Sequence, residues 1–429
     1  MLKTRRIITE PSPQRASGYR ETSISQERGD MRQLINYLVK VYNLKELALK
    51  VRDSRTRRII PTASVILSWI FGFIFRIPST EELGRLLDKP RFQKLVGSRH
   101  ISADVLARVI SRIINPESLR GILHAIIRRA WENKCWLAGS WAGWMVIAID
   151  GTELFSSTKR HCPACSKRCI KGGTQYYHRA LLAKIVGEVP LPLDFELINS
   201  GEGEKTAALR LVLRLAHTFK FKRVILIVDA GFHSPELMKL IAKVGWYWIL
   251  PLKNEDLLLS RAIKAHFDAY KSPPKSFKGK AGKRHLYVTY RDAQYLPFWE
   301  NLDQPVRILS FNETNVQTGE TLENLEFVTN IPMEVMGAPT LWKCAHKRWD
   351  IENQGFHMLK HTWNLTHSYV HHPCAIYALI ACMLIAYSLL ILFVERRTRR
   401  YSDKPLRSVS LDLLSDLLYA SSPFTLDSS

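Results

Sequence analysis

Residues 146–150 have the sequence VIAID, and residues 224–229 have the sequence VILIVD. A short run of Val and Ile that ends in Asp is typical of a buried β-strand that delivers a carboxylate to the edge of a sheet. Glu352 lies in a third stretch, KRWDIENQGFHMLK, whose pattern predicts a helix. Two strand-end aspartates, here Asp150 and Asp229, and a helical glutamate commonly hold two Mg²⁺ or Mn²⁺ ions over a phosphate.

The net charge of the chain indicates which kind of molecule carries that phosphate. Among 429 residues, 62 Lys and Arg face 39 Asp and Glu, which gives a net charge of +23 at pH 7. Such an excess favours polyanionic partners, so we expect double-stranded DNA to be the ligand. The length is sufficient for two or three domains with a large core.

The N-terminal residues and the cysteines predict the cellular compartment. The first residues, MLKTRRIITEPSPQ, lack the apolar core of a secretory signal. The chain has seven cysteines, an odd number. We therefore expect reduced thiols in a cytoplasmic, nucleoid-associated protein.

One apolar segment raises the alternative of an integral membrane protein. Residues 374–394, CAIYALIACMLIAYSLLILFV, are about long enough to span a bilayer. Tyr377, Tyr387 and Ser388 interrupt the segment. A helix of this composition can also form the centre of a large α/β core, and we predict that role, with no membrane partner.

The first third of the chain has a helical pattern. Residues 1–28 contain few large apolar groups and are predicted to be a disordered basic tail. Residues 29–140 are predicted to be a helical DNA-binding domain, in which Ser79 and Glu82 fit a capping box. An Arg-rich connector at residues 52–58 suits contact with DNA. An ordinary helical bundle with solvated arginines remains the alternative.

From about residue 144 the pattern changes to strands and helices. The predicted order is three strands, helix, strand, helix, strand, a β-rich insertion and a final helix. This order gives an α/β fold, the ribonuclease H-like mixed sheet with flanking helices, in which the first and fourth strands are neighbours. Asp150 and Asp229 would then lie side by side.

The predicted domain boundaries follow from this order. The catalytic domain comprises residues 141–252 and 331–400, and the insertion comprises residues 253–330. Within the insertion, KSPPKSFKGKAGKR at residues 271–284 is predicted to be a loop because it is rich in Lys, Pro and Gly. Residues 401–429 are predicted to be a C-terminal tail.

Three motifs resemble those of a known family. IDGT at 149–152, DAGF at 229–232 and RWDIEN at 348–353 are similar to the DDE transposases of bacterial and archaeal insertion sequences. The resemblance covers roughly residues 144–395 and implies a ribonuclease H-like catalytic domain. It also implies that Asp150, Asp229 and Glu352 form a metal-binding catalytic triad.

The group with a Tyr-x2-Arg-x3-Glu-x6-Lys motif around the third acid is the most similar. Arg348 matches the arginine of that motif. Ala345 stands at the tyrosine position, and Leu359 stands at the lysine position, with Lys360 one residue later. The predicted DNA contacts are Arg348, Lys360 and Lys253, the last of which follows a predicted strand.

The resemblance implies a DNA transposase that cleaves strands at transposon ends and transfers them into target DNA. It also implies two divalent ions as cofactors and a homodimer on paired DNA ends. A nuclease of the same fold without strand transfer is an alternative, because its core sequence would look the same. A catalytically inactive DNA-binding protein is the other alternative.

A group of cysteines suggests a second metal. Cys162 and Cys165, together with Cys169, resemble part of a zinc knuckle with His161 or His178 as the fourth ligand. The C-x2-C spacing suits Zn²⁺, but no second C-x2-C follows, so a zinc site and a loop of free thiols both remain open. His178 could instead line the active site or be a buried core histidine. Three further histidines are interpreted as DNA-facing or incidental: His367, His371 and His372.

Overall fold

The computed structural model describes residues 29–252, 258–270, 273–282, 284–296, 302, 304–347, 357–398, 401, 404–419 and 423–427. The tail predicted at residues 1–28 lies outside these ranges. The helical pattern of the first third is confirmed. Seven helices form there: α1 (Asp30–Lys40), α2 (Leu44–Leu49), α3 (Thr62–Ile74), α4 (Thr80–Leu86), α5 (Pro90–Val96), α6 (Ala103–Ile110) and α7 (Glu117–Glu132).

Serine side chains cap two of these helices, and the sequence predicts the first of these caps. The Ser79 hydroxyl accepts a hydrogen bond of 3.1 Å from the Glu82 backbone N–H at the start of α4. The Ser102 hydroxyl accepts one of 3.4 Å from the Val105 N–H at the start of α6. Each bond satisfies a backbone donor that the first turn of a helix leaves without a partner.

The Arg-rich connector at residues 52–58 is partly folded onto its own aspartate. Both Arg55 Nε and Arg55 Nη2 donate hydrogen bonds of 2.9 Å to the Asp53 carboxylate. Arg58 donates one of 2.9 Å to the Asp53 carbonyl. Burial would raise the pKa of Asp53, but hydrogen bonds from Arg55 and Thr62 lower it to about 2. Arg55 and the exposed Arg58 therefore contact Asp53, and Arg52 and Arg57 are also exposed.

Ten strands form one sheet among the described residues. They are β1 (Met145–Ser157), β2 (Ser166–Ile170), β3 (Gly173–Ile185), β4 (Pro192–Ile198), β5 (Val224–Val228), β6 (Tyr247–Leu252), β7 (Lys275–Ala281), β8 (Arg284–Leu296), β9 (Val306–Asn315) and β10 (Thr321–Thr329). The order is β2-β3-β1-β5-β6-β10-β9-β8-β7, and β4 also pairs with β3.

The core of this sheet confirms the predicted fold class. β1 pairs antiparallel with β3, β3 pairs antiparallel with β4, and β1 pairs parallel with β5, which pairs parallel with β6. This is the mixed sheet expected of a ribonuclease H-like domain. β2 is an additional short strand that the sequence analysis did not predict.

The β-rich insertion continues the same sheet, because β10 pairs antiparallel with β6. The prediction of a loop at residues 271–284 was wrong, since β7 lies there and pairs with β8. Along β7, Lys and Ser alternate with Phe277, Gly279 and Ala281, which is the period of a strand. The Phe277 ring lies 5.4 Å from the Trp342 ring. The apolar side of β7 therefore has a packing partner that its loop-like composition concealed.

Seven further helices complete the described fold. They are α8 (Glu204–Thr218), α9 (Pro235–Lys243), α10 (Leu258–Ala269), α11 (Ala338–His346), α12 (His357–His361), α13 (Pro373–Arg397) and α14 (Leu406–Tyr419). α8 contacts β3 and β4, and α13 contacts α3, α7 and β4. The segment predicted to be a C-terminal tail contains α14, where Asp416 accepts a hydrogen bond of 2.8 Å from the Met31 N–H.

Helix α13 contains the apolar segment that raised the membrane alternative. It is long and apolar enough to cross a bilayer, but 94% of its most apolar stretch is buried inside the protein. The Phe195 ring of β4 lies 4.9 Å from the Tyr377 ring of α13. Burial against the sheet and the N-terminal helices accounts for the composition of α13 without a membrane, as the prediction of a core helix requires.

Candidate active site

Asp150 and Asp229 lie side by side on neighbouring parallel strands. The last register pair between β1 and β5 is Ile149 with Val228, and each aspartate is the next residue. Asp229 keeps an extended backbone, with φ −81° and ψ 163°. Parallel strands lie about 4.8 Å apart, and residues in register point to the same face of a sheet. The structure thus brings together the first two predicted acids.

Buried strands hold the two acids in place. Residues 146–149 and 224–228 are almost inaccessible to solvent, whereas Asp150 and Asp229 are only half-buried. The Asp150 carboxylate accepts a hydrogen bond of 2.7 Å from the Gly151 N–H. The arrangement therefore places two half-buried carboxylates beside each other on backbone that packing keeps rigid. Asp229 directly follows β5, whereas Asp150 lies within β1 and not at its end.

Glu204, at the start of α8, packs against the residue that follows Asp150. A Cβ atom at Gly151 would lie 2.7 Å from Glu204 Oε1, so a larger residue there would displace that carboxylate. Arg179 on β3 reaches the same region: its Nη1 lies 3.8 Å from Glu204 Oε1, and its Nη2 donates a hydrogen bond of 2.9 Å to the Glu202 carbonyl. Successive side chains alternate faces, so Glu204 supports β1 from the face opposite the Asp150 side chain.

The segment after Asp229 is tied to the same helix. A short 3₁₀ helix spans Ala230–Phe232, and Lys205 Nζ donates a hydrogen bond of 2.6 Å to the carbonyl of His233. Burial and the nearby charge of Lys205 lower the pKa of His233. The backbone beside Asp229 is therefore anchored to the first turn of α8.

A buried ionic network joins the N-terminal helices to the sheet. The Asp194 side chain on β4 is fully buried, and Arg120 Nε, Arg214 Nε and His124 Nε2 lie 2.9, 2.7 and 3.2 Å from its carboxylate oxygens. Burial opposes ionisation of Asp194, but the contact with His124 and the charges of Arg120 and Arg214 lower its pKa. Arg214 Nη2 also lies 2.7 Å from Glu196 Oε2. The network fixes α7 and α8 to the sheet that carries Asp150.

Helix α11 leads toward the third predicted acid and is anchored by a buried glutamate. Glu313 on β9 accepts a hydrogen bond of 2.7 Å from Trp342 Nε1, and its Oε1 lies 2.8 Å from His346 Nε2. Ala345, which replaces the tyrosine of the family motif, is buried in α11.

Three predicted site residues, Glu352, Arg348 and Lys253, lie outside the described residues. Lys360 is half-buried on α12, next to the buried Leu359. Leu359 thus packs in the core where the family motif has a lysine. The roles of these four predicted residues stay predictions.

A basic cavity of about 520 Å³ opens between α11 and the hairpin of β7 and β8. Four cationic side chains and two tryptophans line it, namely Lys280, Arg284, Lys343, Lys347, Trp141 and Trp342. The cationic side chains around this concave surface suit contact with a nucleic acid backbone, whereas Trp342 is fully buried at its base.

The predicted cysteine ligands are only partly brought together. Cys162, Cys165 and His178 form a group with His371, and their ligand atoms lie within 4.8 Å of one another. Cys169 is exposed on β2 outside this group, and the His161 ring is stacked on Tyr176. Burial and the neighbouring His371 lower the pKa of His178 to about 4, so its imidazole is neutral at pH 7.

Two of these contributors are not evident from the sequence pattern. His371 is predicted to be DNA-facing or incidental, and Glu204, at the start of a predicted helix, fits a surface or supporting acid. His371 lies 206 residues from Cys165, so no local spacing points to their contact. The glycine after Asp150 is the one available signal for Glu204, since a close approach to the backbone requires glycine.

Comparison with known proteins identifies the family. The family model of the transposase DDE domain matches residues 142–389, more than half of the chain. No curated protein matches the chain. A solved structure of a piggyBac transposase synaptic complex with hairpin DNA is similar, with 12% identity and a TM-score of 0.43, covering 92% of this chain and 82% of that one. Asp150 and Asp229 both fall inside the family match, and the chain belongs to the transposase DDE-domain family.

Proposed function

We propose that the protein is a DNA transposase that cleaves strands at transposon ends and joins them to target DNA. The observation that carries the proposal is the placement of Asp150 and Asp229 at equivalent positions of two neighbouring parallel strands, within the segment that matches the family. Two carboxylates one strand spacing apart repel each other, and a divalent cation relieves that repulsion. The acids therefore fit the metal ions that DDE transposases generally use.

The chain supplies the ligands and their rigidity. In this proposal Asp150, Asp229 and Glu352 hold two Mg²⁺ or Mn²⁺ ions. Divalent ions supply activation of the attacking oxygen and neutralisation of charge at the leaving oxygen. A Cβ atom at Gly231 would have no heavy atom within 4 Å, so the backbone beyond Asp229 faces open space that a phosphate can enter.

The basic surface would position the DNA. Lys360, Arg348 and Lys253 are the proposed phosphate contacts. The cavity between α11 and the hairpin of β7 and β8 adds further cationic side chains. Several phosphate contacts of this kind would make binding fall steeply with salt concentration. Because joining requires two element ends at one target, we propose that two copies act together on paired ends.

The test uses the full chain with Mg²⁺, labelled duplexes carrying the DNA that borders its coding sequence, and a plasmid target. Wild type should release cleaved ends and form joined product. Asp150→Asn, Asp229→Asn and Glu352→Gln should each lower both products by at least about 100-fold, since each removes a ligand worth several kcal/mol. Glu132→Gln is the matched control, because Glu132 is exposed and pairs with Arg129 within α7, away from the acids.

The alternatives give different outcomes. Cleavage without joined product in the wild type would replace strand transfer with nuclease activity. DNA binding without cleavage, unchanged by Asp229→Asn, would make the protein a DNA-binding protein with a degenerate site. Equal activity of Asp229→Asn and Glu132→Gln in a cleaving protein would refute the role of these acids.

A further inference from the structure

Four potential metal ligands from three separate segments converge beside the catalytic sheet. Cys162 and Cys165 lie in the turn between β1 and β2, His178 lies on β3, and His371 immediately precedes the N-cap of α13. All four ligand atoms lie within 4.8 Å of one another. Cys165 and His178 are buried, and the other two are half-buried. Such convergence across the chain is not explained by local turn geometry.

Four of the six distances between ligand atoms lie within about 0.4 Å of those in a tetrahedral centre. Bonds of about 2.3 Å to sulfur and about 2.0–2.1 Å to nitrogen give about 3.8 Å between two sulfurs and about 3.6 Å between sulfur and nitrogen. The Cys162 and Cys165 sulfurs are 3.7 Å apart. His178 Nε2 lies 3.3 Å from Cys162 Sγ and 3.2 Å from Cys165 Sγ, and His371 Nε2 lies 3.4 Å from Cys165 Sγ.

Neither a disulfide nor a set of hydrogen bonds accounts for the group as well as a metal ion does. A disulfide requires sulfurs about 2.05 Å apart, far closer than the observed 3.7 Å. Hydrogen bonding would place three side-chain contacts, to Cys162 Sγ, His178 Nε2 and His371 Nε2, on Cys165 Sγ, which is only a weak donor and a weak acceptor. A cation at the centre accounts for all of these contacts together.

The surroundings prepare the ligands for a metal. The Cys162 N–H donates a hydrogen bond of 3.3 Å to Cys165 Sγ, and the Cys165 N–H donates one of 3.1 Å to the Cys162 carbonyl. The Phe155 ring lies 5.3 Å from the His178 ring and 4.8 Å from the His371 ring, so it restrains both imidazoles. Fixed ligand orientation of this kind is typical of metal sites.

We propose that Cys162, Cys165, His178 and His371 bind one Zn²⁺ ion in a closed structural site. Two sulfurs and two nitrogens in tetrahedral arrangement select zinc, and four protein ligands leave no open position for catalysis. Two thiolates and two neutral imidazoles balance the charge of the ion, which suits a half-buried place. Binding releases the two thiol protons.

The site fastens the turn between β1 and β2 to the chain that enters α13. His371 follows α12, the helix that carries Lys360, by ten residues. His178 and Leu182 share a face of β3, and Leu182 pairs with Asp150. The ion would thus hold the segment after α12 on the face of the sheet that carries the Asp150 side chain.

The test measures metal content of the full chain, purified reduced and without a polyhistidine tag. Wild type should carry about one zinc per chain. Cobalt(II) titration should give intense visible absorption with a sulfur-to-cobalt band in the ultraviolet, the signature of tetrahedral thiolate binding. Cys162→Ser and His371→Gln should each weaken binding by at least about 10-fold. Cys169→Ser and His161→Gln, close by but outside the group, should retain full stoichiometry.

Two results would overturn the proposal. One is a wild-type chain that binds no zinc and gives no cobalt–thiolate band. The other is loss of the band in Cys169→Ser with its retention in Cys162→Ser. His371→Gln leaves both cysteines in place, so it reports on the site if Cys162→Ser does not fold. Metal content and absorption are independent of DNA cleavage, so this test can fail or succeed separately from the proposed function.

Discussion

Asp194 supports the active site from a distance, and removing its charge tests that support. The residue is fully buried on β4, between Arg120 of α7 and Arg214 of α8. In Asp194→Asn the side chain keeps its size, but two guanidinium groups lose their shared carboxylate. α7 then loses an anchor to β4, the strand that pairs with β3 beside Asp150.

The contacts of Asp194 determine how large a loss of unfolding free energy we expect. Breaking a buried ion pair by removing one partner costs about 3–5 kcal/mol, because the other charge stays buried without compensation. Here Glu196 remains 2.7 Å from Arg214 and 3.5 Å from Arg120, so some compensation survives. We therefore expect the lower end, a loss of about 3 kcal/mol in the free energy of unfolding at pH 7.

Urea denaturation followed by tryptophan fluorescence measures this loss. Glu132→Gln is the control, because Glu132 is 59% exposed and its pair with Arg129 should contribute less than about 1 kcal/mol. Arg120→Met combined with Asp194→Asn should recover part of the loss, since one uncompensated guanidinium is then gone. If Asp194→Asn and Glu132→Gln had equal unfolding free energies, the ionic network around Asp194 would not stabilise the fold, and the reasoning would be refuted.

Other substitutions test the site and its supports. Gly151→Ala would place a methyl group 2.7 Å from Glu204 Oε1 and displace that flexible carboxylate, so we expect DNA cleavage to fall by no more than a few-fold and the added change Glu204→Ala to restore it. Asp53→Asn removes a carboxylate whose pKa is lowered to about 2, so the unfolding free energy at pH 7 should fall by about 2 kcal/mol. A lowered carboxyl pKa stabilises the fold at pH values above the ordinary pKa of 3.8, and this stabilisation is lost as the carboxylate is protonated. The unfolding free energies of variant and wild type, measured by urea titration, should therefore converge as the pH falls from about 4 to about 2. Glu313→Gln weakens the hydrogen bonds that anchor α11 and should lower the unfolding free energy by about 1.5 kcal/mol in the same assay. An unchanged unfolding free energy would contradict this role of Glu313.

The part of the site that depends on local sequence pattern, namely the two aspartates after apolar runs, could be predicted from the sequence. The apolar runs 146–149 and 224–228 are continuous because both faces of β1 and β5 are covered there. The run in β5 ends the strand, so Asp229 follows it directly as predicted, whereas β1 continues to Ser157 and Asp150 lies within it rather than at its end. The predicted order of strands and helices places the first and fourth predicted strands side by side, and these are β1 and β5 of the structure. The neighbourhood of Asp150 and Asp229 was therefore predicted from the sequence alone, and the pairing of β1 with β5 agrees with it.

The parts that depend on distant contacts were not accessible. His371 and Cys165 are separated by 206 residues, and the path of the intervening chain decides whether they meet. Asp194 follows Leu and precedes Phe in an apolar strand, and its cationic partners lie on two helices that no local pattern assigns to it. β7 was missed for a related reason: its Lys and Gly content favours a loop until Trp342 covers its apolar side.

Strand β3 connects these distant contacts to the position of Asp150. Leu182 pairs with Asp150, and side chains along β3 alternate between the two faces. Arg179 points to the α8 face and reaches Glu204, whereas His178 points to the Asp150 face and reaches the cysteines and His371. Restraints on opposite faces of the same strand resist rotation of that strand about its axis. Contacts outside the predicted catalytic motifs therefore restrain Asp150 on the neighbouring strand, and substitutions at Arg179 or His178 should disturb it even though neither residue belongs to the proposed triad.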